Sequence, residues 1–393
     1  MAWGPIHRNG GGVVQFALNE DELAFRAVVD RFVASRYGLA QRRQYRQESR
    51  GYGAENWHSL AQLGLLGAAF SVEDGGLGCG PRELAAILEG WGSGLMVEPL
   101  LEEVILAGGV LARSEHTAQR QRWLPAIIDG SAHLTLAHFE HTARFNLSEV
   151  RVRADVRSNG TFLSGKKMVV PLASVADAWI VSARQHGENA DPAGILFYMV
   201  DPKAVGLLRA DFRLTDGSVA SAITFTEVPV IERLPIHFDA FLGCIDMARY
   251  AACAEMIGIM SKLFEMTLDY LRNRKQFGVP LASFQGIRFR LADQYVALEQ
   301  SRSQLSRAAL FIRNNAGGTQ ARRTIAGMKS YISRAAQELG ETCVHLHGAM
   351  GMTDDLAIGH GYKRLLVLSS LFGDGDSELV RFARTRQLGM DGR

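Results

Sequence analysis

The chain has 393 residues, 47% hydrophobic and 21% charged, with a formal net charge of +2. This is the composition of a globular protein with room for two or three domains. So weak a charge argues against a dedicated nucleic-acid binder, and no stretch approaches the ~20 apolar residues of a membrane span. The four cysteines (Cys79, Cys244, Cys253 and Cys343) lack metal-like spacing, so no metal site is expected. Their scatter suits free thiols in a reducing cytoplasm. Residues 1–14 hold no apolar signal core, so secretion is not expected, and the Gly-rich segment 1–18 reads as flexible.

Residues 19–37 read as an amphipathic helix. Asn19 stands where an N-cap belongs, and Glu20, Asp21 and Glu22 fill the first turn. A second helix, 56–65, stops at Gly67, and 71–80 (SVEDGGLGCG) is a loop by composition. Pro81 opens the next helix at a first-turn position. Further helices are expected at 100–111 and 117–124, with Pro125 starting a last short turn, so 19–130 reads as a helical domain.

Texture changes after Gly130. Short runs rich in Val, Ile, Phe and Thr alternate with turn residues, the mark of antiparallel strands. Strands are expected at 150–157 and 161–164 around the Ser158-Asn159-Gly160 hairpin turn, then at 178–183, 195–200 and 222–225, giving a β-domain over 131–239. From 240 to 393 the pattern returns to helix: 244–274, 284–313, 319–339 and a short 378–388. The segment 344–355 (VHLHGAMGMTDD) reads as a Gly-containing loop.

The stretch 272–292, RNRKQFGVPLASFQGIRFRLA, carries the most specific signal. Gly278 suits a helix C′ position, and Pro280 cannot continue a helix. With Arg274-Lys275-Gln276-Phe277-Gly278, Phe284-Gln285 and the helical, β, helical order, the chain resembles the acyl-CoA dehydrogenases. The resemblance implies an α+β fold: an N-terminal helical domain, a central antiparallel β-barrel-like domain and a C-terminal four-helix bundle. It also implies FAD as cofactor, an acyl-CoA substrate, an electron-transfer flavoprotein or similar acceptor, and a homotetramer or heterotetramer. Its chemistry is removal of an α-proton by a carboxylate while the flavin takes the β-hydride. Such a base must be desolvated, and the developing charge on the thioester oxygen must be stabilised.

Carried over residue by residue, the resemblance places Arg274, Gln276, Phe277, Phe284 and Gln285 at a neighbouring subunit's FAD. The family's Gln-x-x-Gly-Gly-x-Gly becomes His345-Leu346-His347-Gly348-Ala349-Met350-Gly351, so His345, Gly348 and Gly351 are the matching FAD positions. Ala349 adds a methyl and disfavours positive φ, which opposes close approach to a phosphate. Arg249 matches an arginine beside the CoA path, or salt-bridges within the bundle. Asp374 of Phe372-Gly373-Asp374-Gly375-Asp376 falls at the position of the catalytic base, one methylene shorter than the usual Glu. It would otherwise favour the start of the last helix, where Asp376 is the expected cap. The alternative base position on the long helix is Ala248. At the β-domain entry Glu140 and Ala143 match, but Arg144-Phe145 replaces a Gly-Ser pair, and Val169-Val170-Pro171 replaces Trp-Ile-Thr.

Two readings follow from the resemblance. One is an enzyme converting an acyl-CoA to its trans-2-enoyl form in fatty acid or steroid catabolism. The other is a non-catalytic or FAD-site-sharing partner subunit of a hetero-oligomeric member. A third reading, an oxidase or oxygenase on the same fold, would show rapid O₂ consumption by the reduced flavin.

Overall fold

The structure is a computed structural model that describes residues 18–315 and 317–387; the segment expected to be flexible lies almost wholly outside them. The chain opens on α1 (Glu20–Arg36), α2 (Leu39–Gln47), α3 (Ala54–Gln62) and α4 (Pro81–Ser93). Asn19 caps α1 in a full capping box: its side chain accepts from the Glu22 N–H, and the Glu22 carboxylate accepts from the Asn19 N–H. Glu22 is buried and receives two hydrogen bonds from the Arg82 guanidinium, which ties α1 to α4.

A π-helix, Leu100–Gly108, follows, then α5 (Gly109–Ala112) and α6 (Thr117–Ile128). Pro125 lies inside α6 and does not end it. The wider winding of the π-helix sends two adjacent acids to different partners. Glu103 accepts from the Leu134 N–H and bonds His133, whereas Glu102 faces Arg364. Such windings collect at functional sites.

The β-domain holds β1 (Leu134–Ala137), β2 (Arg153–Arg157), β3 (Gly160–Pro171), β4 (Ala178–Arg184), β5 (Ile195–Val200), β6 (Leu207–Arg213), β7 (Val219–Pro229) and β8 (Glu232–Leu234). The strand order is β6-β7-β3-β2-β4-β5-β8, with β1 added in parallel to β4. The path does not close on itself, and β2 also meets β4 in parallel. The sheet is therefore open and mixed, where a barrel-like antiparallel arrangement was expected. The β3–β7 register slips between Lys167 and Val170. That irregularity holds Val169 at φ +52°, a costly conformation for a β-branched residue.

The C-terminal helices are α7 (Phe238–Asn273), α8 (Gln285–Asn315), α9 (Thr319–His347), α10 (Ala357–Ser370) and α11 (Gly375–Gln387). Between α7 and α8, β9 (Lys275–Gln276) and β10 (Val279–Pro280) form a two-strand turn. Helix α9 packs against α7, α8, α10 and α11, so the bundle has a fifth helix, α10, beyond the four expected. Helices α4 and α7 cross with their backbones nearly touching. A Cβ on Gly92 would lie 2.1 Å from the Glu255 carbonyl oxygen, and one on Gly258 would lie 2.0 Å from that of Glu89. Only glycine permits this approach. It fixes α7 against α4.

Candidate active site

A cavity of about 270 Å³ opens where the π-helix, the β-domain and the α10–α11 link converge. Its walls are mainly apolar: Leu106, Leu136, Phe139, Met168, Val169 and Leu371. Three lining residues that are not glycine carry a positive φ, namely Arg144 (+48°), Val169 (+52°) and Phe372 (+63°). Strain of this kind persists only where the surroundings over-determine it, and it gathers at functional sites. The Phe139 and Phe372 rings lie 6.2 Å apart, so the β-domain and the bundle meet through aromatic contact at the cavity wall.

Three carboxylates bear on the chemistry. Glu140 lines the cavity but is fully engaged: Oε1 accepts from Lys167 Nζ and the Val152 N–H, and Oε2 from the Arg151 N–H. Lys167, wholly buried, also donates to the His138 carbonyl and to Ser182 Oγ, which uses all three of its donors. Burial pushes its pKa down to about 8 against the pull of Glu140. This knot fixes the β1–β2 loop to β3 and was not read from the sequence as a unit. Glu140, matched at the β-domain entry, was its visible trace in the sequence.

Asp374 sits at the N-terminus of α11. Its Oδ1 accepts from the Ser377 N–H at 2.7 Å, and its carbonyl accepts from the Glu378 N–H. It, and not Asp376, is the cap; Asp376 pairs with Arg334. Asp374 adjoins the cavity-lining Phe372 through Gly373 alone, but it is not itself among the lining residues. Its Oδ2 has no hydrogen-bond partner among the described residues. The third acid, Glu102, lines the cavity from the π-helix.

Arg249 does not reach the cavity. It is buried, pairs with Asp246 and Glu378, and donates through Nε to the Phe372 carbonyl. Burial lowers its pKa while the two acids resist the change. Arg381 closes the cluster by pairing with the same two acids. The arginine thus anchors the strained Phe372 from behind. Ala248, at the alternative base position, is fully buried.

The residues expected to meet a neighbouring subunit's FAD form an exposed group at the β9–β10 turn. Arg274, Gln276 and Gln285 are exposed, and Phe277 is 90% exposed at φ +54°, edge-on to Phe284 at 6.2 Å. Among the described residues only the Phe284 ring is recorded against so bare an aromatic, and exposed apolar surface of this kind marks an interaction site. His345 is exposed on the last turn of α9, whereas His347 is buried and stacks on Tyr270 at 4.4 Å. The expected loop begins four residues late, at Gly348, because α9 runs through His347. Gly348 has φ +62° and open space around it, and a Cβ on Gly351 would strike the Val344 carbonyl oxygen at 2.5 Å. Ala349 is exposed and carries no positive φ. The backbone therefore does not require glycine at 349, and its methyl does not prevent the turn from forming.

These surroundings fit FAD. The apolar walls suit a flat ring system, the 348–351 turn leaves its backbone accessible, and Arg144 lines the cavity as a cation without a partner among the described residues. Pro171 gives no N–H or hydroxyl to a ring, so hydrogen bonding from β3 is reduced to main-chain groups of its neighbours.

Comparison with known proteins agrees across most of the chain. The profile of the acyl-CoA dehydrogenase N-terminal domain matches residues 19–131, and that of the C-terminal domain matches 238–386. The chain is 27% identical over 339 residues to the acyl-CoA dehydrogenase FadE27 of Mycobacterium tuberculosis, covering 85% of this chain and 88% of that protein. It is 26% identical over 388 residues to a probable acyl-CoA dehydrogenase, YngJ, of Bacillus subtilis, covering 95% and 100%. Among solved structures, the Tcur3481–Tcur3483 steroid ACAD superposes with a TM-score of 0.85 at 27% identity, covering 95% of this chain and 99% of that one. The ChsE4–ChsE5 complex from Mycobacterium tuberculosis gives 0.85 at 25% identity, covering 94% and 98%.

Proposed function

Because the chain belongs to the acyl-CoA dehydrogenase family, we propose that it oxidises an acyl-CoA thioester to the trans-2-enoyl-CoA with FAD, passing the electrons to an external acceptor such as an electron-transfer flavoprotein. The observation that carries this reading is the apolar cavity between β-domain and bundle, with strained Arg144, Val169 and Phe372 converging on it. FAD, when bound, supplies the acceptor for the β-hydride. The apolar walls exclude water from the acyl group, which raises the basicity of a nearby carboxylate and strengthens every polar contact with the thioester. Asp374 takes the α-proton at Oδ2, the oxygen left free by capping. The Arg249 cluster holds Phe372 and the start of α11 in register, so the base is positioned by a buried ion network and not by a mobile loop. Phe277, Phe284, Arg274, Gln276, Gln285, His345, Gly348 and Gly351 serve the dinucleotide across a subunit interface, in a homotetramer or heterotetramer.

A second reading, a partner subunit that shares an FAD site without performing catalysis, is favoured by one observation. Asp374 is engaged as a helix cap and does not line the cavity. Anaerobic titration with a panel of acyl-CoAs separates the two. Bleaching of the flavin in wild type, lost in Asp374→Asn, supports the enzyme. Bleaching that is unchanged in the variant removes Asp374 as base, and no bleaching by any thioester favours the partner subunit.

A further inference from the structure

We infer that Glu102 makes this cavity select acyl groups that carry a hydroxyl at the end remote from the thioester; the inference rests on the cavity being the acyl site of the reading above. The cavity has two distinguishable ends. At one, Phe139 faces Phe372, and the backbone leads through Gly373 to Asp374. Met168 belongs to this end, because its N–H donates to the Phe139 carbonyl. Strand β3 then runs to Pro171, which pairs with Ala220 of β7 and whose carbonyl accepts from Thr135 on β1. Ser218 lies two residues before Ala220 and donates to Asp216. Asp216 pairs with Arg364, and Arg364 with Glu102. Glu102 therefore stands at the Pro171–Ser218 end, away from the α11 terminus.

Glu102 is not an incidental surface acid. Its side chain is 12% exposed, and it belongs to a π-helix whose neighbouring residues pack into the core. Arg364, 12% exposed at its side chain, serves three acids: Glu255, Asp216 and Glu102. The first two are 2% and 3% exposed at their side chains, and only Glu102 adjoins open space in the cavity. Its single hydrogen bond, Oε1 to Arg364 at 3.3 Å, is the longest of the set. Oε2 has no partner among the described residues. Arg42 and Arg46 lie within electrostatic reach of this network, Arg46 against Gly217. Three cations thus stand with three acids, so the free oxygen calls for a neutral donor more than for another cation. A purely apolar acyl end placed against it would strip solvent from a carboxylate oxygen and return nothing. A hydroxyl donates to it, and hydrogen bonds to charged groups are the stronger kind.

The test pairs hexanoyl-CoA with 6-hydroxyhexanoyl-CoA, and decanoyl-CoA with 10-hydroxydecanoyl-CoA. Binding is measured by calorimetry on the flavin-loaded protein in parallel with flavin bleaching, for wild type, Glu102→Gln and Glu102→Leu. Wild type is expected to bind at least one hydroxylated thioester about tenfold or more tightly than its alkyl partner. Glu102→Leu should reverse that order, with Glu102→Gln between them. Arg364 keeps Glu255 and Asp216 in both variants, and Glu102→Gln keeps the side chain's shape, so a loss confined to Glu102→Leu is read from the Gln variant. Equal hydroxyl preference in all three proteins, or none in wild type, overturns the inference. Binding preference without any bleaching leaves it standing and removes the proposed reaction instead; no binding of any thioester overturns both.

Discussion

Two arginines, Arg249 buried and Arg364 partly buried, organise the space around the cavity, and they do so differently. Arg249 is enclosed by Asp246 and Glu378, each 2% exposed at its side chain, and Arg381 shares both acids. Arg364 has no second guanidinium paired with its acids, and one of those acids, Glu102, opens onto the cavity. The first cluster is sealed inside the chain, with Asp246 Oδ2 buried and without a hydrogen-bond partner among the described residues, and acts as scaffold. In the second, the acid with an unpartnered oxygen, Glu102, lines the cavity, where that oxygen is open to a ligand. Both clusters rest on arginine–carboxylate pairs at low exposure; whether every acid is enclosed separates structure from site.

Removing the arginine should break the two clusters unequally. Arg364→Met leaves Glu255 buried with no other cation paired to it, and should cost toward the upper end of the ~3–5 kcal/mol expected for an orphaned buried charge. Arg249→Met should sit at the lower end, because Arg381 still holds both acids. Urea unfolding of the two variants checks this; equal losses would mean that Arg381 contributes nothing. Asp374→Asn sharpens the contrast on the catalytic side. Asn caps a helix as well as Asp does, so stability should hold while the rate of flavin reduction falls by about 10²–10⁴. Asp374→Ala should add a loss of about 1 kcal/mol in stability through the missing cap.

The buried Lys329 gives a pH test. It donates to the Leu368 carbonyl, and burial pushes its pKa down to about 8, against about 10.4 when unfolded. Between those values the unfolded chain holds a proton that the folded chain has released. The unfolding free energy should therefore rise with pH there, by at most about 1.4 kcal/mol per unit. The difference between wild type and Lys329→Met, followed by denaturation from pH 7 to 10, should grow in favour of wild type; a flat difference would show that the lysine stays charged. The smallest effect belongs to the exposed motif. Phe277→Ala should change the stability of the chain by less than about 0.5 kcal/mol, yet lower flavin retention measured by absorbance after gel filtration.

Legibility in the sequence followed how local each signal was. The Asn19 capping box, Pro81 at the start of α4 and the break at Gly278-Val279-Pro280 rest on neighbouring residues, and the structure shows all three. The π-helix was expected as ordinary helix, since periodicity over nine residues with eight of them buried leaves no face to count. Helices α2 and α10 were missed. The first is almost wholly polar, and the second begins just after the segment read as a Gly-containing loop and carries Gly359 and Gly361 in its first turns. Strand β1 was missed because four consecutive buried residues show no alternation, and its parallel partner β4 lies some forty positions on. For the candidate site, motif matching pointed to Asp374 and to residues of 274–285. It could not reveal that Arg249 is sealed in, nor that Glu102 and Arg364 meet across 262 positions of chain. Pairings over such distances are set by packing and leave no trace in local spacing.

The cavity and its exposed partner motif build the proposed flavin site even though Pro171 and Ala349 depart from the family pattern. The most direct measurement is the visible absorption spectrum of the protein purified alone, with released flavin quantified per chain. A yellow protein with about one FAD per chain, bleached by an acyl-CoA, is the predicted result. A colourless protein that stays colourless when FAD is supplied would contradict it.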